Sequence, residues 1–142
     1  AFDMVTHSLL IYKLQQIVIH RDVVKWIENF LSERGQCVVI NGEKSSYANV
    51  TSEVPQGSVL GPMLFLIYIN DINLGITSSL RLFADDCVVY RSISYDEDAT
   101  ALQGDLNRMY DRCKQWNMCL NARKCTHMCF TRKNNDKYLF YK

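Results

Sequence analysis

Apolar residues recur at helical spacing in two segments near the start of the chain. The first segment follows Thr6, a typical helix-capping residue, and ends where the β-branched run 17–19 lowers helix propensity. The second begins at Asp22, another capping residue, and its apolar positions continue to Gly35, which we expect to stop the helix. The pattern therefore predicts two consecutive helices before residue 36.

Two further helices are predicted in the second half of the chain. Gly61-Pro62 opens one of them, because proline is tolerated in a first helical turn, and Gly75 closes it. Asp96 opens the other, because acidic residues complement the positive end of a helix. That helix carries an apolar stripe at steps of four and three: Leu102, Leu106, Met109, Cys113 and Trp116. We expect the stripe to pack beneath a sheet, with a partner-binding helix as the alternative.

Short apolar segments rich in β-branched and aromatic residues alternate with turn signals elsewhere. Cys37–Ile40 predicts a strand, Asn41-Gly42 a turn and Tyr47–Val54 the return strand of a hairpin. Leu80–Tyr90 is a second such segment, interrupted at its centre by two carboxylates. Two more candidate strands lie near the end, at Cys125–Thr131 and Tyr138–Tyr141.

The composition fits one domain and shows no electrostatic sign of a nucleic-acid surface. The 142 residues, 48% of them hydrophobic, suffice for one compact domain or a piece of one. The 16 basic and 15 acidic residues nearly cancel, whereas nucleic-acid-binding domains usually carry an excess of positive charge. The longest apolar stretch, Met63–Ile69, is far shorter than the roughly 20 residues of a membrane helix. Binding to nucleic acid must therefore be argued from motifs.

The six cysteines are interpreted as reduced thiols. No signal peptide precedes them and several fall at core-like positions, so we expect no disulfides. Cys125, His127 and Cys129 would share one face of a strand, which raises the alternative of a zinc site. Their spacing fits no familiar zinc module, and the alternation of a half-buried strand accounts for it. His7 and His20 are interpreted as surface or cap residues.

The adjacent aspartates Asp85 and Asp86 are the strongest chemical signal in the chain. Within the apolar run their burial would be costly, and their mutual repulsion would raise the pKa of one carboxyl. Neighbours on a regular strand point to opposite faces, so both carboxylates can serve one site only at the tip of a tight hairpin. Hard divalent cations take oxygen ligands, and a two-metal site stabilises both the attacking and the leaving oxygen of a phosphoryl transfer. Two solvated aspartates at an exposed turn are the alternative for the dipeptide alone.

Two motifs occur in an order that resembles a known family. The segment 54–65, which contains Pro55-Gln56-Gly57, is followed by Phe83-Ala84-Asp85-Asp86. Further matches stand at both ends of the chain: Ala1-Phe2-Asp3, His7, Leu10, Trp116, Leu120-Asn121 and Lys124. Together they resemble the palm of reverse transcriptases from non-LTR (LINE-type) retrotransposons, most closely the jockey/CR1-like group of animal elements. The resemblance covers nearly the whole chain.

The resemblance implies both a fold and an activity. The fold would be an α+β polymerase palm, a small antiparallel sheet backed by helices, with a fingers/palm segment in residues 1–54 and palm in 55–142. The activity would be RNA-directed DNA synthesis, in which a primer 3′-hydroxyl attacks the α-phosphate of a deoxynucleoside triphosphate. The implied partners are an RNA template, a DNA primer and the remainder of a parent polyprotein. The implied location is a ribonucleoprotein in nucleus and cytoplasm, away from membranes.

Individual residues acquire expected roles from the resemblance. Asp85 and Asp86 would be catalytic ligands for two Mg²⁺ ions, or Mn²⁺ in their place. The Gln56-Gly57 turn would lie against the incoming nucleotide and template base, where glycine permits close approach. Phe2 would lie under the sugar and exclude a 2′-hydroxyl, with a core aromatic as the alternative. Lys124 would act catalytically on the departing pyrophosphate, with a solvated lysine as the alternative.

Two features depart from the family pattern. The family's first catalytic aspartate lies upstream of Ala1-Phe2-Asp3, so we expect the third ligand outside this sequence and interpret Asp3 as a helix cap or ion-pair partner. Glu53 stands where the family commonly has glycine, which is suggestive of a decaying copy. We therefore expect the isolated chain to be inactive. A catalytically dead remnant or a domesticated nucleic-acid-binding domain stays the alternative function.

Overall fold

The computed structural model describes residues 2–131, and these residues group into two compact units. The first unit contains residues 2–71 together with Trp116–Met118, and the second contains Ile72–Gln115 and residues 119–131. The predicted division after residue 54 falls inside the first unit. Helices and small antiparallel sheets are present in both units, which confirms the α+β class.

Among residues 2–131, four α-helices form in the segments where apolar periodicity predicts them. They are α1 (His7–Gln16), α2 (Arg21–Leu31), α3 (Leu60–Ile69) and α4 (Asp96–Gln115). Thr6 is the N-cap residue of α1 and the helix ends before Ile17, as predicted. Pro62 lies in the first turn of α3, where its missing N–H costs nothing. Within residues 2–131, no helix has both the length and the apolar character needed to cross a membrane.

The predicted start of α2 at Asp22 is wrong by two residues. His20 is the N-cap residue, because its Nδ1 atom accepts a hydrogen bond from the backbone N–H of Asp22 at 3.3 Å. The interpretation of His20 as a surface or cap residue is therefore confirmed. Asp22 instead lies in the first turn, where a carboxylate complements the helix dipole.

The predicted ends of α2 and α3 are also wrong, because the chain leaves each helix before the glycine that was expected to stop it. α2 ends at Leu31, and Glu33 beyond it already has a φ of +52°. α3 ends at Ile69 and is followed by turns that continue to Gly75, whose φ is +79°. After α3 the left-handed glycine falls in the following connection rather than directly behind the helix. After α2 the left-handed residue is Glu33 and not Gly35.

The predicted hairpin after α2 forms with short strands. β2 (Val39–Ile40) pairs with β3 (Glu43–Lys44) across Asn41-Gly42, and both turn residues have the positive φ that this two-residue turn requires. Further out, β1 (Gly35–Gln36) pairs with β4 (Ala48–Asn49). The predicted return strand Tyr47–Val54 forms as a strand only at Ala48–Asn49, and the chain already begins to return at Glu43, because the tight turn fixes the register.

The first unit has one hydrophobic core, to which α1, α2 and α3 all contribute. Its buried members are Val5, Leu10, Leu14, Val24, Ile27, Leu31, Val54, Leu64, Phe65, Tyr68, Ile69 and Trp116. The residues on α1 and α2 follow the apolar periodicity, so burial of this face is what holds these helices in place.

A buried ion pair lies beside this core. Lys13 of α1 is 8% exposed, and its ammonium group donates to the Asp71 carboxylate at 2.5 Å and to the carbonyl of Tyr68. The same ammonium lies 3.8 Å from the centre of the Trp116 ring, whose Nε1–H donates to Asp71 at 3.0 Å. The charge of Lys13 is thus satisfied by a carboxylate, a carbonyl and a ring face, which ties α1 to the residues after α3 and α4.

In its described part, the second unit contains one hairpin and one helix. β5 (Ser79–Phe83) and β6 (Asp86–Tyr90) pair antiparallel, and the Sγ atom of Cys87 on β6 lies 3.8 Å from the Sδ atom of Met109 on α4. The predicted apolar stripe of α4 is confirmed, since Leu102, Met109 and Cys113 are buried. Met109 of this stripe contacts the hairpin through Cys87.

The predicted strand Cys125–Thr131 is wrong. Its residues are exposed and no strand of the described chain pairs with them, whereas a strand requires partners for its backbone N–H and C=O groups. The candidate strand Tyr138–Tyr141 lies outside the described residues. The six cysteines, all of which the structure describes, are free thiols.

The buried ion pair leads to a stability prediction. Lys13→Met keeps most of the side-chain volume but removes the cation beside the partly buried Asp71. We expect the free energy of unfolding, measured by urea denaturation, to fall by about 3 kcal/mol. Lys25→Met, at an exposed position of α2, is the matched control and should change it by less than about 0.5 kcal/mol. Equal effects of the two substitutions would contradict the structural role of Lys13.

Candidate functional site

The two aspartates lie at the tip of the β5–β6 hairpin, as predicted. Phe83 pairs with Asp86, which leaves Ala84 and Asp85 as a two-residue turn. Ala84 has a φ of +51°, a left-handed conformation that is unfavourable for a residue with a Cβ atom and that belongs to the tight turns of β-hairpins. The turn breaks strand alternation at this point, so the adjacent carboxylates share one end of the hairpin.

The hairpin has two unlike faces. One face contacts Met109 of α4 through Cys87 and carries Leu80, Leu82, Cys87 and Val89. The opposite face carries Asp86 together with Arg81, Phe83, Val88 and Tyr90. All five of these side chains are exposed. Asp86 therefore lies on the side of the hairpin that is turned away from α4.

Both carboxylates are exposed and able to receive a cation. No side chain among residues 2–131 donates a hydrogen bond to either of them. Because both carboxylates are exposed, neither needs a buried donor to offset its charge. Two adjacent sets of carboxylate oxygens suit a hard cation such as Mg²⁺. In the described residues no group of three or more acidic, histidine or cysteine side chains is placed to hold a metal ion. The geometry by itself is equally that of two solvated aspartates.

A buried carboxylate that the sequence analysis did not identify holds the base of the hairpin. Asp105 of α4 is fully buried and accepts hydrogen bonds from the backbone N–H groups of Thr77 at 3.1 Å and Ser78 at 2.7 Å. The hydroxyls of the same two residues donate to it at 3.0 and 2.6 Å, and Arg108 Nη2 donates at 2.7 Å. Burial acts to raise the pKa of Asp105, but these donors outweigh it and hold the pKa below its ordinary value. The signal was a charged residue within the buried stripe of an amphipathic helix.

The other strand of the hairpin is held at the same end. Arg91, which directly follows β6, donates to Thr77 Oγ1 at 3.1 Å and lies 3.5 Å from a carboxylate oxygen of Asp98. Asp98 in turn accepts hydrogen bonds from the backbone N–H groups of Ser94 and Tyr95, which lower the pKa of its carboxyl. Both strands are thus anchored to α4 at the end of the hairpin opposite to Asp85, β5 through Asp105 in the middle of the helix and β6 through Asp98 in its first turn.

The Gln56-Gly57 segment forms a tight turn in front of α3. The carbonyl of Pro55 accepts hydrogen bonds from the backbone N–H and the hydroxyl of Ser58, and Gly57 has a φ of +78°. A Cβ atom at Gly61 would lie 2.5 Å from the Pro55 carbonyl oxygen, so only glycine fits there. Gln56 and Gly57 are both exposed, which leaves the turn open to a ligand.

Phe2 lies near this turn within the first unit. Its carbonyl accepts a hydrogen bond from the N–H of Val54 at 3.2 Å, directly before Pro55. Its ring is partly buried and stacks on Phe65 of α3, with 4.7 Å between ring centres. The structure therefore brings Phe2 and the Gln56-Gly57 turn to the same region, although the contact with Phe65 also fits a core aromatic.

Three further residues from the sequence analysis have defined surroundings. Lys124 is exposed, at the end of a turn that Asn121 closes through a 2.9 Å backbone hydrogen bond. Asp3 lies in a short 3₁₀ turn, Phe2–Met4, and the cap position of α1 is taken by Thr6 instead. His7 Nε2 donates to the carbonyl of Glu53 at 2.7 Å, so it is a partly buried structural contact.

Glu53 has a backbone conformation that favours glycine. Its φ is +93°, and both of its backbone polar groups are fixed, the N–H by the carbonyl of Val5 at 2.8 Å and the carbonyl by His7. This explains in physical terms why the resemblance predicts glycine at this position: a side chain here adds strain to the segment that leads into the Gln56-Gly57 turn.

The family model and the relatives that the chain matches all point to the same protein family. The sequence matches the family described as "Reverse transcriptase (RNA-dependent DNA polymerase)" over residues 1–142. It is 35% identical over 94% of its length to the Drosophila melanogaster protein named "Probable RNA-directed DNA polymerase from transposon X-element", and 32% identical over 96% to the "RNA-directed DNA polymerase from mobile element jockey" of the same species. The chain spans only 15% and 16% of these two proteins.

The strained φ at residue 53 leads to a prediction. Glu53→Gly should raise the free energy of unfolding by about 1 kcal/mol, because glycine adopts this φ without strain. Glu28→Gly, on the exposed side of α2, is the matched control and should lower it by about 1 kcal/mol. Urea denaturation of both variants measures the two shifts. If both substitutions destabilised the protein equally, residue 53 would carry no strain.

Proposed function

The chain belongs to the reverse transcriptase family, and from this premise we propose that Asp85 and Asp86 are the metal-binding carboxylates of an RNA-directed DNA polymerase from a non-LTR retrotransposon. The observation that supports the proposal most is the hairpin turn, which presents two adjacent carboxylates at one exposed end. Since the chain spans about a sixth of its relatives, the activity of the whole enzyme is part of the proposal.

The reaction would be nucleotidyl transfer. The 3′-hydroxyl oxygen of a primer forms a bond to the α-phosphorus of a deoxynucleoside triphosphate, and the bond from that phosphorus to the bridging oxygen breaks to release pyrophosphate. Divalent metal at the site would polarise the attacking oxygen and stabilise charge on the leaving one. Asp85 and Asp86 would hold the metal with their oxygens.

The remaining residues take roles around this centre. The Gln56-Gly57 turn would lie against the nucleotide and template base, and Phe2 would lie beneath the sugar. Exposure of the turn and its short backbone link to Phe2 through Val54 support this arrangement. Lys124 would donate a proton to pyrophosphate, which its exposure permits. Residues 1–54 would form a fingers/palm segment and 55–142 palm, with an RNA template and a DNA primer as partners.

A noncatalytic remnant is the second candidate function. The observation that favours it is Glu53, since a glutamate in a left-handed conformation adds strain without an evident gain. In such a remnant the carboxylates of the hairpin tip would have no metal-binding role, so metal binding distinguishes the two candidates.

Mn²⁺ titration tests the proposed site. In the 142-residue chain, Mn²⁺ should broaden the amide NMR signals around residues 85 and 86 first and saturably, because a paramagnetic ion held by two carboxylates acts on nearby nuclei. Asp85→Asn/Asp86→Asn should abolish this broadening. Asp96→Asn/Glu97→Gln, a second pair of adjacent exposed carboxylates, is the matched control and should leave it unchanged. Identical titration of all three proteins would show that the hairpin tip is no metal site.

A further inference from the structure

We propose that Asp105 is a positioning residue for the carboxylate pair: by binding the backbone at the start of β5, it fixes the hairpin to α4 and so sets where Asp85 and Asp86 are held. This inference rests on the proposed function of the pair. Asp105 itself lies in α4 and accepts its hydrogen bonds at the base of the hairpin, so its effect on the carboxylates is transmitted through the strands.

The donors around Asp105 require a carboxylate rather than any polar side chain. Five donor groups converge on it: the N–H and hydroxyl of Thr77, the N–H and hydroxyl of Ser78, and the guanidinium of Arg108. An ionised carboxylate offers acceptors only, whereas an asparagine would turn N–H donors toward some of the same groups. The charge is buried and its Arg108 partner is half-exposed, so the hydrogen bonds from Thr77 and Ser78 are essential to its stability.

The hydrogen bonds of Asp105 lie at the base of the hairpin, where they can determine the position of its tip. Ser78 directly precedes β5, and Arg91, which directly follows β6, donates to the same Thr77 hydroxyl that Asp105 accepts from. Both strands are therefore fixed at one end, while the other end is the two-residue turn with Asp85. A two-stranded hairpin is marginally stable in isolation, so its geometry depends on such attachments. Loosening the base would let the exposed tip sample a wider range of positions.

The expected effect is on metal affinity. Groups that orient metal ligands typically alter affinity by about 10–100-fold when they are removed. We therefore expect Asp105→Asn to weaken Mn²⁺ binding, measured by NMR broadening at residues 85 and 86, by roughly 10-fold or more. Asp111→Asn, an exposed aspartate of the same helix, is the control and should bind as the unmodified chain does. Thr77→Val removes only the hydroxyl that Asp105 and Arg91 share and should give an intermediate loss. Thr77→Ser should restore binding.

Amide hydrogen exchange in β5 and β6 separates this inference from the proposed function. If the unmodified chain binds no Mn²⁺, the proposed function fails; faster exchange in Asp105→Asn than in Asp111→Asn would still show that Asp105 fixes the hairpin. If the unmodified chain binds Mn²⁺ and a folded Asp105→Asn binds it equally well, the positioning role is overturned. Should Asp105→Asn not fold, Thr77→Val decides by the same criteria: unchanged affinity and exchange would overturn the role.

Discussion

The carboxylate of Asp105 is the interaction on which the second unit's candidate site depends. An apolar residue at position 105 would continue the stripe of α4 but would leave the N–H groups of Thr77 and Ser78 without their acceptor at the start of β5. The buried charge is tolerated because five donors surround it, and their convergence specifies one arrangement of helix and hairpin. A hairpin held at its base can keep its tip exposed, and that exposure leaves Asp85 and Asp86 accessible to a cation.

The first unit also has a buried charged group next to an exposed turn. Lys13, Asp71 and the Trp116 ring satisfy one another beside the hydrophobic core, and they secure the helix that follows the Gln56-Gly57 turn. The turn itself is set by local chemistry: Ser58 closes it, and the absence of a side chain at Gly61 lets the Pro55 carbonyl approach. In both units, then, an exposed segment with a proposed role is supported by a buried charged group.

Local patterns in the sequence predicted the features that depend on local physics. Apolar periodicity located all four helices, Asn41-Gly42 located a tight turn, and the two adjacent carboxylates indicated a hairpin tip at Asp85. Features set by distant partners were missed. The strand expected at Cys125–Thr131 has no partner in the described chain, and the role of Asp105 depends on Thr77 and Ser78, more than 25 residues away. A charged residue within the apolar stripe of α4 indicated that Asp105 is unusual. The sequence did not indicate that Thr77 and Ser78 would be its hydrogen-bond donors.

Primer extension is the most direct test of the central claim, that the carboxylate pair belongs to a polymerase site. Because the chain covers 16% of the jockey polymerase, it should be tested in place of the matching segment of that protein, on an RNA template with a DNA primer. We expect dNTP incorporation by the chimera and a loss of about 100-fold or more in Asp85→Asn. Incorporation that is equal in the chimera and its Asp85→Asn variant would contradict the account.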